Sequence, residues 1–101
     1  MEIFKQLNKK GYKHYYEGTV EELDSMDKDN QHLHSEIMQV IMWLYEKHGI
    51  WVSVTFKRHS QNKHFSYNIR QANGIETYLW EHNSPTEAYE AAILYCLTKL
   101  I

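Results

Sequence analysis

Histidine is the residue type in this chain with the widest chemical range, since seven histidines occur among 101 residues and imidazole binds metals and transfers protons near neutral pH. His59, His64 and His82 fall in or beside predicted strands and could meet on one sheet face. A metal site needs ligands at close spacing, whereas His32 and His34, two residues apart, point to different sides of a helix. The pattern predicts no metal site. A small hydrolase or nuclease that uses the three strand histidines stays as one alternative.

Other catalytic groups are not indicated. Cys96 is the only cysteine, so no intramolecular disulfide can form, and it falls on the apolar stripe of a predicted helix, where a thiol is normally inert. Glu21 and Glu22 fit the start of a capped helix better than an acid/base pair. A glycine-rich phosphate loop is missing from the sequence. We therefore expect no catalytic residue and no cofactor.

Aromatic and polar side chains on one face of a predicted sheet are the strongest functional indication. Residues 50–58 alternate strictly, so that Val52 and Val54 fall on an apolar face and Trp51 falls on the opposite, outer face. The same alternation in two further strands predicts an outer face made of Trp51, Ser53, Thr55, Lys57, His59, His64, Ser66, Asn68, Arg70, Glu76, Tyr78, Trp80 and His82. The candidate ligand- or partner-binding residues on it are Trp51, Lys57, Asn68, Arg70, Tyr78 and Trp80.

Three interpretations explain why aromatic rings lie on a sheet face that is expected to be exposed to solvent. The N-terminal arm, with Tyr12, Tyr15 and Tyr16, could fold over it. A second copy of the chain or another protein could cover it, because Trp and Tyr are enriched in interfaces. A planar ligand could stack there while Arg70 or Lys57 holds a phosphate.

The helices that must position this face have clear boundaries. A short helix near the N-terminus ends at Gly11, and Thr19 begins a capping box for a second short helix. A long helix over residues 30–48 ends at Gly49 and carries the core stripe, which Met38, Met42 and Tyr45 widen. The last helix begins at Ser84, with Pro at its first position. Trp43 lies at the border of the long helix's stripe, where it covers a neighbour or meets a partner.

Three strands separate the two long helices. After residues 50–58, alternation resumes in residues 65–70 and 75–80, with the turn signal Asn73-Gly74 between them. The sequence therefore predicts one α+β domain over residues 1–101: an N-terminal arm (1–29), then a helix, a three-stranded antiparallel meander and a helix, with both long helices on one sheet face. The predicted core is Leu33, Ile37, Ile41, Leu44, Val52, Val54, Phe56, Phe65, Tyr67, Ile69, Leu79, Ile93 and Leu97.

Charge and hydropathy exclude several classes of partner. The net charge of −2 makes nucleic acid an unexpected partner. No apolar run approaches the ~20 residues of a membrane span, so we expect no membrane association. The single cysteine and the lack of a signal peptide pattern favour a cytoplasmic protein.

The order of helix, three antiparallel strands and helix resembles the double-stranded RNA-binding domain over residues 30–101. Residues 84–88 (SPTEA), with Ala91 and Ala92, are similar to that module's second helix. The family places a basic lysine pair at the start of this helix, whereas this chain has Thr86 and Glu87. The resemblance implies a duplex-RNA-binding module as a further alternative function.

Two other segments, residues 43–50 (WLYEKHGI) and 84–93 (SPTEAYEAAI), are similar to motifs of small uncharacterised accessory proteins of bacteriophages and prophages. This resemblance implies a phage protein in the host cytoplasm. We therefore expect a non-enzymatic, homo-oligomeric binding protein that counters host defence by occupying a host protein or by sequestering a nucleotide-like signal.

Overall fold

Every helix and strand expected from the sequence is present in the computed structural model. The structure describes residues 3–59 and 62–101; the side chains of residues 57–59, 62–64 and 79–81 lie outside the description. The elements are, in order, α1 (Ile3–Lys9), α2 (Val20–Asp24), α3 (Gln31–His48), β1 (Ile50–His59), β2 (Asn62–Gln71), β3 (Glu76–His82) and α4 (Pro85–Tyr95), which continues into a π-helical turn (Cys96–Leu100).

Side-chain caps set the helix starts, as the sequence indicates. Thr19, Asn30 and Ser84 each accept a hydrogen bond from a backbone N–H two or three residues further on, at 2.8 to 3.1 Å. Gly49 ends α3 in the left-handed conformation, with φ of 64°. Because β1 starts at the next residue, this one glycine directs the chain from the long helix straight into the sheet.

The sheet has the order β1-β2-β3, and both pairs are antiparallel. Pairing of β1 with β2 is regular over all ten residues. Pairing of β2 with β3 shifts: Tyr67 lies opposite Leu79, but Phe65 lies opposite His82. An advance of two residues on β2 thus matches an advance of three residues on β3, so β3 carries a bulge with one extra residue. After the bulge, the side chains of β3 point to the opposite faces from those that simple alternation predicts.

Helices cover one face of the sheet only, which confirms the predicted α+β fold. Helix α4 contacts β1 and β2, and α3 contacts β1. The core lies between the sheet and this helical layer, and it also takes in Ile3, Phe4, Leu7 and Leu23 from the two short N-terminal helices. The expected core stripe of α3 is buried as predicted, and Cys96 is buried beside it.

Some residues that the sequence places in the core are not buried, and they lie at one end of the sheet. Phe56 is 48% exposed, and Val54 and Phe65 are half-buried. A ten-residue strand is about 33 Å long, whereas α3, the longest helix, spans about 27 Å. The hairpin therefore extends past the helical layer, where the Phe56 and Phe65 rings contact each other with centroids 5.0 Å apart. The side chain of Leu79, also predicted to be core, lies outside the description.

Helix α3 has an exposed apolar side that the sequence pattern does not reveal. Met38, Met42 and Tyr45 were expected to widen the buried stripe, but all three are exposed. The reason is position on the helix: each follows a buried residue by one place (Ile37, Ile41 and Leu44), which turns it about 100° away from the core. Trp43, in contrast, is half-buried and packs edge-on against Tyr12, with ring centroids 5.5 Å apart.

The N-terminal arm packs on α3, not on the outer face of the sheet. Its anchor is the buried carboxylate of Glu36, which accepts hydrogen bonds from the backbone N–H groups of Tyr15 and Tyr16 at 2.7 to 3.0 Å. The Tyr12 hydroxyl also donates to this carboxylate. The interpretation in which the arm's tyrosines cover the outer face is therefore wrong.

Candidate binding surface

Eight described residues form the outer face: Trp51, Ser53, Thr55, Ser66, Asn68, Arg70, Glu76 and Tyr78. They stand in rows across the three strands. One row is Trp51, Arg70 and Glu76, and the next is Ser53, Asn68 and Tyr78. The register thus places the two polar candidates of β2 between the aromatic candidates of β1 and β3, as the alternation predicts.

Trp51 and Tyr78 are 43% and 54% exposed, so both rings are accessible on this face. Their Cα positions are two strand spacings apart and one row apart, which is roughly 12 Å. That separation is too large for the two rings to sandwich one planar group, which needs rings about 7 Å apart. Each ring is therefore a separate contact point on a flat surface.

Arg70 is held by an ion pair. Its Nε donates to Glu76 at 2.7 Å, and the Tyr78 hydroxyl donates to the other oxygen of the same carboxylate. The bond from Tyr78, followed by that from Arg70, holds the pKa of Glu76 below its usual value, and the bond to Glu76 raises the pKa of Tyr78. This network fixes the Tyr78 ring, while the Arg70 side chain stays largely exposed.

Asn68 lies at the centre of the outer face. Its Oδ1 is shielded from solvent and has no hydrogen-bond partner in the described part of the chain. A buried polar atom without a partner costs about 1–3 kcal/mol, so such atoms are rare. The neighbouring Ser66 is also buried, but its hydroxyl donates to the Thr55 carbonyl at 3.4 Å. Among the described residues of this face, Asn68 is therefore the one with a buried polar atom that accepts no hydrogen bond.

Two of the six candidate residues can be placed by backbone position only. Lys57 pairs with His64 near the end of the β1–β2 hairpin, and Trp80 lies at the bulge of β3. Both side chains lie outside the description. Since the bulge breaks the alternation between Leu79 and His82, the sequence pattern no longer determines on which face Trp80 lies.

His82 lies on the opposite face from the one predicted. The bulge places it opposite Phe65, and its ring stacks on Tyr67 with centroids 5.7 Å apart, on the side that the helices cover. The prediction that His82 clusters with His59 and His64 is therefore wrong. The side chains of His59 and His64 lie outside the described residues. Among the side chains that are described, no group of three His, Cys, Asp or Glu could hold a metal ion.

Sequence reasoning missed two contacts. One is the anchor at Glu36, for which the available signal is a carboxylate on the core side of an amphipathic helix, where hydrogen bonds must satisfy it. The other is the contact of Tyr45, predicted to widen the buried stripe of α3, which instead meets Trp51 edge-on with centroids 5.6 Å apart. This contact links the exposed side of α3 to the rim of the outer face.

A concave apolar site lies elsewhere. A cavity of about 250 Å³ lies between α3 and the start of α4 and is lined by His34, Ile37, Met38, Pro85, Thr86 and Tyr89. Nearby, Thr86 donates to the Lys28 carbonyl at 3.2 Å, and its neighbour Glu87 forms an ion pair with Lys28 at 2.7 Å. The start of α4 thus carries a neutralised carboxylate in place of a basic pair.

Comparison of the chain with protein-family profiles, with characterised proteins and with solved structures finds no match. Over the residues that the structure describes, no helix combines the length and the apolar character that a membrane crossing requires.

Proposed function

We propose that this chain is a non-enzymatic binding protein whose outer sheet face contacts a partner protein. The observation that carries the proposal is the exposure of Trp51 and Tyr78 on a sheet face that neither the helices nor the arm covers. Trp, Tyr and Arg are the residue types that contribute most to binding at protein interfaces. This face presents one of each around Asn68.

The shape and charge of the face favour a protein over a small ligand. Small molecules usually bind in concave pockets, whereas Trp51 and Tyr78 stand roughly 12 Å apart on a flat sheet. A phosphate would also have to compete with Glu76 for Arg70, because the two side chains are already paired. A protein can contact both rings at once.

A nucleotide-like ligand is the second candidate. The exposed guanidinium edge of Arg70 could bind the polar atoms of a base or a phosphate. Stacking of a base on one aromatic ring is worth roughly 1–3 kcal/mol. Such a ligand would use Trp51 or Tyr78, but not both.

A phage-type accessory role is part of the proposal, with a host protein as the partner and host defence as the process that is countered. This part is supported by the similarity of residues 43–50 and 84–93 to phage motifs. Duplex RNA binding has weaker support, because Glu87 and Lys28 pair where that module presents lysines. A histidine-based hydrolase has weaker support because His82 faces the helical layer.

The test is a pull-down from bacterial lysate with three immobilised proteins: wild type, Tyr78→Ala and Ile75→Ala. Ile75 is exposed like Tyr78 but lies in the turn before β3, which makes it a matched control. We expect a protein that wild type and Ile75→Ala retain and Tyr78→Ala loses, and that binds purified wild type directly. Unchanged thermal unfolding of both variants shows that the fold is intact.

A set of nucleotides titrated into wild type by calorimetry separates the second candidate from the first. A heat of binding that wild type gives and the Arg70→Gln variant does not would favour the nucleotide-like ligand. A partner that binds Tyr78→Ala as tightly as wild type would show that the outer face is not the binding surface.

A further inference from the structure

We propose that two copies of this chain pair antiparallel through the free edge of β1, so that the exposed sides of their α3 helices lie against each other or against the partner's sheet edge. Three independent features of the described chain support this interface: the regular edge of β1, an apolar stripe on α3, and the charge distribution along β1.

The two edges of the sheet differ. An edge strand presents unpaired backbone N–H and C=O groups, and proteins usually protect such edges with bulges or short strands. Strand β3 has both protections, since it is seven residues long and carries the bulge. Strand β1 has neither, since its ten residues pair regularly with β2. Strand β1 is thus the edge that can accept another strand.

An apolar stripe runs beside this edge. Met38, Met42 and Tyr45 follow one side of α3 at i, i+4 and i+7 spacing, and Tyr45 contacts Trp51 at the start of β1. Helix α3 contacts β1, and the Tyr45 end of the stripe reaches the start of that strand. An interface at this edge would cover the unpaired backbone together with this end of the stripe.

The area suits a second copy. The three side chains Met38, Met42 and Tyr45 are 44–55% exposed. Large side chains of this kind have about 150–250 Å² each, so roughly 300 Å² of mostly apolar surface is available, somewhat less than half of the ~800 Å² that each partner usually contributes. The edge of a strand about 33 Å long supplies much of the remainder.

Charge favours the antiparallel arrangement. Lys57 and Arg58 lie near the end of β1, and the strand contains no acidic residue. Parallel pairing of two β1 strands would bring these basic positions side by side, whereas antiparallel pairing separates them by most of the strand length. A twofold axis then relates the two chains, as in most homodimers. The two outer faces become one six-stranded surface.

The test measures the mass of the full chain by sedimentation equilibrium over a range of concentrations. We expect wild type to reach about twice its 12.2 kDa chain mass, and the stripe variant Met42→Glu to stay at the chain mass. Ile75→Glu places the same charge on another exposed apolar residue, before the opposite edge strand, and it should dimerise like wild type. Met38→Glu serves as a second stripe variant, with folding of each confirmed by circular dichroism.

Hydrogen exchange tests the strand pairing itself. Amides in the middle of β1 should exchange more slowly in the wild-type dimer than in monomeric Met42→Glu. Three results would overturn the proposal: a wild type that stays monomeric at its solubility limit, a dimer that Met42→Glu and Met38→Glu leave intact, or a dimer in which β1 amides exchange as in the monomer. The outer-face variant Tyr78→Ala should still dimerise, so failure here is distinct from failure of the proposed binding function.

Discussion

The hydroxyl of Tyr12 donates a hydrogen bond to the carboxylate of Glu36, and each side chain is only 2% exposed. The same carboxylate accepts the backbone N–H groups of Tyr15 and Tyr16 at 2.7 to 3.0 Å. A carboxylate is stable in the interior only when hydrogen bonds replace its water. The arm and α3 therefore depend on each other, and the arm is held away from the outer face.

Replacement of Glu36 by Gln should lower the free energy of unfolding by about 2–3 kcal/mol, because the amide removes the charge and turns an NH₂ donor toward groups that are themselves donors. Urea unfolding monitored by circular dichroism measures this loss. Glu46→Gln, an exposed change on the same helix, should stay within about 0.5 kcal/mol of wild type. Equal stability of the two variants would contradict a role for Glu36 as the anchor.

Alkaline pH should weaken the fold in part through Tyr12. Burial, and then the bond to Glu36, raise the pKa of Tyr12 above its ordinary value of 10.0. Below pH 10.0 both folded and unfolded chains keep this proton; above it, the unfolded chain loses the proton first, so stability falls as pH rises. The decline should be less steep for Tyr12→Phe than for wild type in urea unfolding measured at successive pH values. Parallel declines would show that Tyr12 does not contribute.

Asn68 should lower the stability of the fold. Threonine suits a central strand better than asparagine and removes the unpartnered Oδ1, so Asn68→Thr should raise the free energy of unfolding by about 0.5–1 kcal/mol. Asn73→Thr is a control that should lower the free energy of unfolding. The Asn73 Oδ1 accepts a hydrogen bond from the Ile75 N–H at 3.0 Å in the turn, and the substitution removes this bond.

Cys96 should be unreactive in the folded chain. Burial raises the pKa of its thiol to about 12, so almost no thiolate is present at neutral pH, and reagents cannot reach the sulfur. A colorimetric thiol reagent should react with it only after denaturant unfolds the protein. Rapid reaction of the native chain would contradict the buried position of Cys96.

Local chemistry made most of the fold predictable from sequence. Caps at Thr19 and Ser84, the left-handed Gly49 and the alternation in β1 each depend on residues a few positions apart, and the structure has each of them as expected. These short-range signals determine the number, order and type of the elements, and therefore the α+β class. They also placed Trp51, Asn68, Arg70 and Tyr78 on one face.

What the tertiary structure decided is the set of relationships between distant segments. The bulge in β3 moved His82 to the helical side, since one extra residue reverses a period of two. Met42 and Tyr45 are exposed because they lie about 100° around α3 from its buried residues, although their own spacing would also fit a core stripe. Which apolar residues are buried depends on what packs beside them, and periodicity within one element carries no information about its neighbours.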